Sequence, residues 1–148
     1  MNSSIIKKVL QTNLSTSTLP LRLIAGVIFS AHGAQKLFAW FGGYGLEGTG
    51  QWMDSIGLGP GYLMALLVGS TEFFGGILLI LGLLTRPTSA VLAITMVVAI
   101  VKVHLANGLF MSNNGYEFAL ALLAMTLALA ISGAGKYSAD QLISNRLK

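Results

Sequence analysis

Six ionisable side chains, His32, Lys36, Glu72, Lys102, His104 and Glu117, sit within stretches of sequence that are otherwise almost wholly apolar. Charges are expensive in such surroundings, so each needs a partner or a task. Lysine and histidine donate hydrogen bonds to carbonyl oxygens, and a buried carboxylate can relay protons, so the set could hold a polar ligand. It could equally serve structure alone. Two carboxylates, a lysine and two imidazoles nearly neutralise one another, and ion pairs between helices fix their register. The 148-residue chain has no cysteine, which removes disulfides, thiol exchange, iron–sulfur clusters and thiolate metal sites. A haem held by two histidines needs both rings at one level, yet His32 falls ~13 Å and His104 ~6 Å from the outer ends of their segments at ~1.5 Å per residue. A two-histidine metal site with Glu72 or Glu117 has suitable ligand types but no supporting spacing.

The elements that must position these residues are written in the composition. The chain is 54% hydrophobic and only 9% charged, too few solvated groups to cover a soluble fold and more apolar mass than a single core absorbs. Four apolar segments, near 19–41, 61–84, 88–108 and 116–133, are each long enough for a hydrocarbon core of ~30 Å. The second contains Glu72. One carboxylate at a helix centre costs about 3 kcal/mol, while Leu, Ile, Val and Phe each return about 0.3–0.6 kcal/mol. With thirteen such residues that span still inserts. The expected fold is therefore an all-α integral membrane four-helix bundle, one transmembrane domain over 19–135. A polar tail over 1–18 precedes it and a tail over 136–148 follows it. The first span, with Arg22, His32 and Lys36 and no convincing cleavage site, reads as an uncleaved helix rather than a signal peptide.

Helical periodicity assigns faces. Ala65, Gly69, Glu72 and Gly76 form one stripe of the second span, placing Glu72 inward beside residues small enough to admit a neighbour. Ala25, Phe29, His32 and Lys36 share a face of the first span. Glu117, Ala121, Ala124 and Ala128 repeat the spacing in the fourth. In the third, Lys102 and His104 fall about 200° apart on a regular helix, so one must face outward, and lysine has the reach to do so. The inward set is His32, Lys36, Glu72, His104 and Glu117. Arg22, at a span end, can snorkel.

The connections set the orientation. Residues 42–60 form a long Gly-rich loop in which Gly48–Ile56 could hold a short interfacial helix. Leu84–Pro87 reads as a tight turn, and Asn107–Gly115 as a polar loop. Lys7, Lys8, Arg86, Lys136, Arg146 and Lys148 lie in the two tails and the second turn, while the first and third loops have no Lys or Arg. The positive-inside rule then puts both termini in the cytoplasm, N-in/C-in. Trp40, Tyr44, Trp52, Tyr62 and Tyr116 fall at the opposite surface, as an aromatic belt would. The +4 formal charge records this orientation, since no basic cluster marks a nucleic-acid partner.

At these residues the sequence resembles the DoxX family of small bacterial inner-membrane proteins. The resemblance rests on His32-Gly33-Ala34-Gln35-Lys36-Leu37-Phe38, on Glu72-Phe73-Phe74-Gly75-Gly76 running on to Gly82-Leu83-Leu84-Thr85-Arg86, on Val103-His104 with Asn107-Gly108, and on Gly115-Tyr116-Glu117. It implies a quinol oxidase subunit or quinone-linked oxidoreductase component in the bacterial inner membrane. A quinone also fits the residues. His32, Lys36 and His104 would contact its carbonyls, Phe73 and its aromatic neighbours would wall its ring, and Glu72 and Glu117 would handle protons. No flavin, haem or iron–sulfur motif is present, so a redox partner protein would supply the other half-reaction, and a homo-oligomer is a further expected association. A membrane scaffold with a purely structural polar cluster, and a small-solute transporter, are the alternatives. Four spans without Gly/Pro-broken helices speak against transport.

Overall fold

The computed structural model describes residues 9–12 and 15–146. Lys7, Lys8 and Lys148, used above to orient the chain, lie outside them. Every regular element among the described residues is helical.

Helix α1 spans Thr18–Phe38, and α2 is a short helix over Gly45–Ser55. Helix α3 spans Gly61–Leu81, and α4 spans Thr85–Ala99. A π-helical turn, Ile100–His104, and a 3₁₀ turn, Leu105–Asn107, prolong α4. Helix α5 spans Glu117–Ser132 and α6 spans Ala139–Arg146. Two stretches, Gly61–Leu81 and Thr85–Asn107, are long and apolar enough to cross a membrane, with mean hydropathy 2.0 and 2.1. Helix α5 is apolar but has 16 residues, about 24 Å at 1.5 Å per residue. Helix α1 has the length, 21 residues, and loses hydropathy to Arg22, His32, Gln35 and Lys36.

Local chemistry sets the helix ends. Pro20 and Pro87 each fall in the first turn of a helix, where a missing N–H costs nothing because those donors have no intrahelical acceptor. The expected Leu84–Pro87 turn is accordingly shorter, and α4 starts three residues before the expected 88. Helix α3 stops at Gly82, which is left-handed at φ 65°. Gly82 N–H donates to the Leu79 carbonyl at 3.0 Å and Leu83 N–H to that of Leu78 at 2.9 Å, the paired bonds of a Schellman termination. At the other end, the Asp54 carboxylate accepts from Gly61 N–H at 2.7 Å, so α2 caps α3. Helix α1 ends at Phe38 instead of 41, because Ala39 and Phe41 both turn left-handed.

Helix α1 packs most closely on α3, and α4 on α5. The apolar core draws Ala25 and Phe29 from α1, Leu79 from α3, Leu92 and Met96 from α4, and Ala119, Leu122 and Leu129 from α5. The α3 stripe faces inward as its spacing predicted, with Ala65, Gly69, Glu72 and Gly76 all buried. The α5 stripe does not. Ala119, Leu122, Thr126 and Leu129 are buried, whereas Ala121 and Ala124 are exposed. The buried face of α5 is thus the Ala119–Leu122–Thr126–Leu129 stripe, with Leu122 and Leu129 filling the core.

Arg22 also departs from expectation. It does not snorkel; it is 2% exposed. Its guanidinium donates to the carbonyls of Leu79 (3.2 Å), Ile80 (2.5 Å) and Tyr137. Leu79 and Ile80 are in the last turn of α3, whose carbonyls lack i+4 helical donors. Nearby, Asp140 is buried and accepts from Leu84 N–H at 2.7 Å and Thr85 N–H at 2.9 Å, capping α4 with a carboxylate from a distant part of the chain. The segment after 136 is thus folded against the helices rather than a loose tail. The described part of the N-terminal segment joins it: Gln11 accepts from Arg86, and Thr12 accepts from Gly135 N–H.

Candidate functional site

Helices α1 and α3 approach closely because glycines face each other. A Cβ placed on Gly33 would fall 2.7 Å from both the Gly69 carbonyl oxygen and the Phe73 Cα, and one on Gly26 would fall 2.7 Å from the Gly76 carbonyl oxygen. The backbones of the two helices come close enough there that no side chain larger than hydrogen fits at Gly26 or Gly33, an approach that small residues permit. One turn further along, the same approach brings Lys36 Nζ to 2.6 Å from Glu72 Oε2. Glu72 is 4% exposed, and a carboxylate in that position needs a cation within hydrogen-bond reach.

The pair lies in the wall of a cavity of about 1000 Å³. His32, Gln35 and Lys36 line it from α1, Thr49, Trp52 and Met53 from α2, and Glu72 from α3. His104 joins from the π-helical turn and Asn114 from the loop before α5. His32 packs its ring beside Phe118 at 6.0 Å between centroids. His104 Nδ1 lies 2.9 Å from the Asn114 carbonyl oxygen. A carbonyl only accepts, so Nδ1 carries the hydrogen and Nε2 of the neutral ring remains an acceptor. Asn107 donates to the same carbonyl at 3.2 Å. The extra residue of a π turn re-aims the side chains beyond it, and here His104 lines the cavity while Lys102 is exposed.

Four of the six expected site residues, His32, Lys36, Glu72 and His104, therefore line one space. Glu117 and Phe73 do not. Glu117 accepts from Met111 N–H at 2.6 Å, and its own N–H donates to the Leu109 carbonyl at 2.9 Å. It holds the loop before α5. Phe73 stacks edge-on with Phe38 and Phe74, at 5.2 and 5.3 Å, on the other side of α3 from the cavity. Sequence reasoning gave no site role to Gln35, Thr49, Trp52 or Asn114. Thr49 and Trp52 stand three apart on α2, one face of a helix whose start at Gly45 the glycine-rich sequence concealed. Among the described residues, no three of His, Asp and Glu lie close enough together to hold a metal ion.

The chain is 40% identical over 112 residues to a Bacillus subtilis protein named "Putative oxidoreductase CatD", covering 76% of this chain and 77% of that one. It is 31% identical over 131 residues to the Escherichia coli inner membrane protein YqjF, covering 84% and 90%. It is 33% identical over 141 residues to the Mycobacterium tuberculosis "Uncharacterized membrane protein Rv3486", covering 88% and 83%. No solved structure matches. The DoxX family profile matches residues 17–105, a stretch that contains His32, Lys36, Glu72 and His104 and ends before Asn114 and Glu117. The chain belongs to the DoxX family.

Proposed function

We propose that this protein is a four-span bacterial inner-membrane component of a quinone-linked oxidoreductase system, with both termini cytoplasmic and its quinone site in the cavity at Lys36 and Glu72. The observation that carries this reading is a charged hydrogen-bonding pair in the wall of a cavity otherwise lined largely by apolar and aromatic side chains, the composition of a site for a small hydrophobic ligand with a polar head. The name of the Bacillus subtilis relative, "Putative oxidoreductase CatD", supports the redox part of this reading, and the membrane names of the other two support its location.

The residues present fit a quinone head. Lys36 has three N–H donors and spends one on Glu72, leaving two for a carbonyl oxygen. The Gln35 amide and Thr49 hydroxyl add neutral donors, and the Trp52 indole offers a flat wall for a ring. When bound, a quinone would supply two-electron, two-proton chemistry, with electrons entering through a partner protein. Glu72 would then hold Lys36 in place and exchange protons with the site. Glu117, bound to its loop, has no such role in this reading.

A second reading has its own support. The Lys36–Glu72 pair also bolts α1 to α3 where they pack most closely, as a structural scaffold would require. Organic extraction of protein purified in mild detergent separates the two. Quinone binding predicts co-purified quinone that falls about tenfold in Lys36→Met and Glu72→Gln, the loss expected of one charge-assisted hydrogen bond of about 1.5 kcal/mol. Both variants should keep their helical circular dichroism. Unchanged retention in both, or a wild type that binds no added quinone, would sink the reading and leave the scaffold.

A further inference from the structure

The cavity is not closed on all sides. Its wall toward α4 is made by Val91, Ile94 and Val98, at i, i+3 and i+7 on one helical face. The same three residues are 49%, 64% and 40% exposed. They face the cavity and the outside of the protein together. Opposite them, Met64 and Val68 of α3 line the cavity and are half-buried. Near the Gly82 turn the two helices do meet, where Gly75 lies against Leu92. Toward the other end they separate, and α3 touches α4 far less than it touches α1. The cleft between them is thus apolar on both lips, continuous with the polar wall at Lys36 and Glu72, and open sideways.

In a membrane, sideways means toward hydrocarbon. Water gains nothing from an opening lined by valine, isoleucine and methionine, whereas an alkyl or isoprenoid chain does, at about 0.8 kcal/mol per buried CH₂. Nor does the route through the outer end suit a tail, since the Thr49, Trp52 and Asn114 side chains stand there.

We propose that the α3–α4 cleft is a lateral portal that accepts the polyisoprenoid tail of a membrane quinone, so the head reaches Lys36 and Glu72 from within the bilayer and the tail stays between Val68 and Ile94. This rests on the quinone reading above and adds the substrate class: long-tailed quinones, taken directly from the lipid phase. Binding energy is divided accordingly. Lys36 and Glu72 fix the head; the cleft selects the tail.

The test is tryptophan fluorescence quenching in nanodiscs, using Trp52 as the reporter in the cavity. The probes are long-chain ubiquinone and long-chain menaquinone, each against its own head group without a tail. The variant is Val68→Phe/Ile94→Phe, which fills the cleft and leaves the head-group residues intact. The proposal expects the variant to bind the long-tailed quinones about tenfold more weakly and the tail-less heads within about twofold of wild type. Equal affinity of variant and wild type for long-tailed quinones would overturn the portal while leaving the quinone site standing. Equal loss of long and tail-less forms would also overturn the portal, since the cleft would then make no contact specific to the tail. A wild type with co-purified phospholipid and no preference between tailed and tail-less quinone would assign the cleft to lipid. A wild type that binds no quinone of either kind would overturn the site itself.

Discussion

Lys36 and Glu72 each remove the other's cost. A carboxylate 4% exposed has lost nearly all its water, and the 2.6 Å contact with Lys36 is its replacement. Lys36 keeps 22% of its side-chain surface, so solvent screens the pair in part and its net worth lies below that of a fully buried pair. Removing one partner strands the other, whereas removing both strands neither. Thermal unfolding in detergent should therefore show Lys36→Met and Glu72→Gln each less stable than wild type, with the double variant recovering part of the loss. The expected coupling is about 1–3 kcal/mol. Additive losses would show that the pair contributes nothing as a pair. Glu117 shows the opposite case at the same scale. Charge type and span position made it a candidate, but a backbone N–H at 2.6 Å already satisfies it.

At the scale of elements, the α1–α3 seam decides whether that pair can form. Gly33 meets backbone, which cannot yield, so Gly33→Ala should separate the helices and cost about 1–3 kcal/mol, as overpacking does. Gly75 is the control. A Cβ there meets Leu92 at an ordinary 3.4 Å, and Gly75→Ala should be neutral or stabilising by up to about 1 kcal/mol, the helix preference of alanine over glycine. Denaturation of both variants in the same detergent checks the contrast, and equal losses would refute it. The α3 side of the seam was legible in the sequence, because Ala65, Gly69, Glu72 and Gly76 repeat at helical spacing between much larger residues. The α5 face was not. Alanine spacing suggests a contact face only where a partner helix comes close, and α5 instead fills a gap with Leu122 and Leu129. The site was half legible for a related reason. Charged residues in apolar spans announce themselves, whereas Thr49, Trp52 and Asn114 become site residues only through how α2 and the last loop fold over the cavity. Arg22 was misread because the acceptors that bury it, the Leu79, Ile80 and Tyr137 carbonyls, are backbone atoms that leave no mark in sequence.

For the whole molecule, the proposed orientation places the cavity mouth and the α2 cap outside and the Arg22–Asp140 cluster inside. The chain lacks cysteine, so single cysteines report on sidedness without background. Ser112→Cys, in the exposed loop before α5, should react with a membrane-impermeant maleimide in intact cells. Asn145→Cys, exposed on α6, should react only after permeabilisation. The reverse pattern would invert the topology and move the cavity to the cytoplasmic side.

The bonds that Arg22 and α4 make to the segment after α5 also have a consequence in time. Helix α4 takes its N-terminal cap from Asp140, and α1 ties its guanidinium to the carbonyl of Tyr137. Both partners follow α5 in the chain and so leave the ribosome after it. Helices α1 to α5 can all have formed while Arg22 still lacks its Tyr137 acceptor and the Leu84 and Thr85 amides remain bare. A chain stopped at Ser132 would keep the Leu79 and Ile80 acceptors of Arg22 and lose both its Tyr137 acceptor and the Asp140 cap. Folding is completed by the segment that follows α5, and a truncation that removes it, touching neither the cavity nor helices α1 to α5, would leave the start of α4 uncapped.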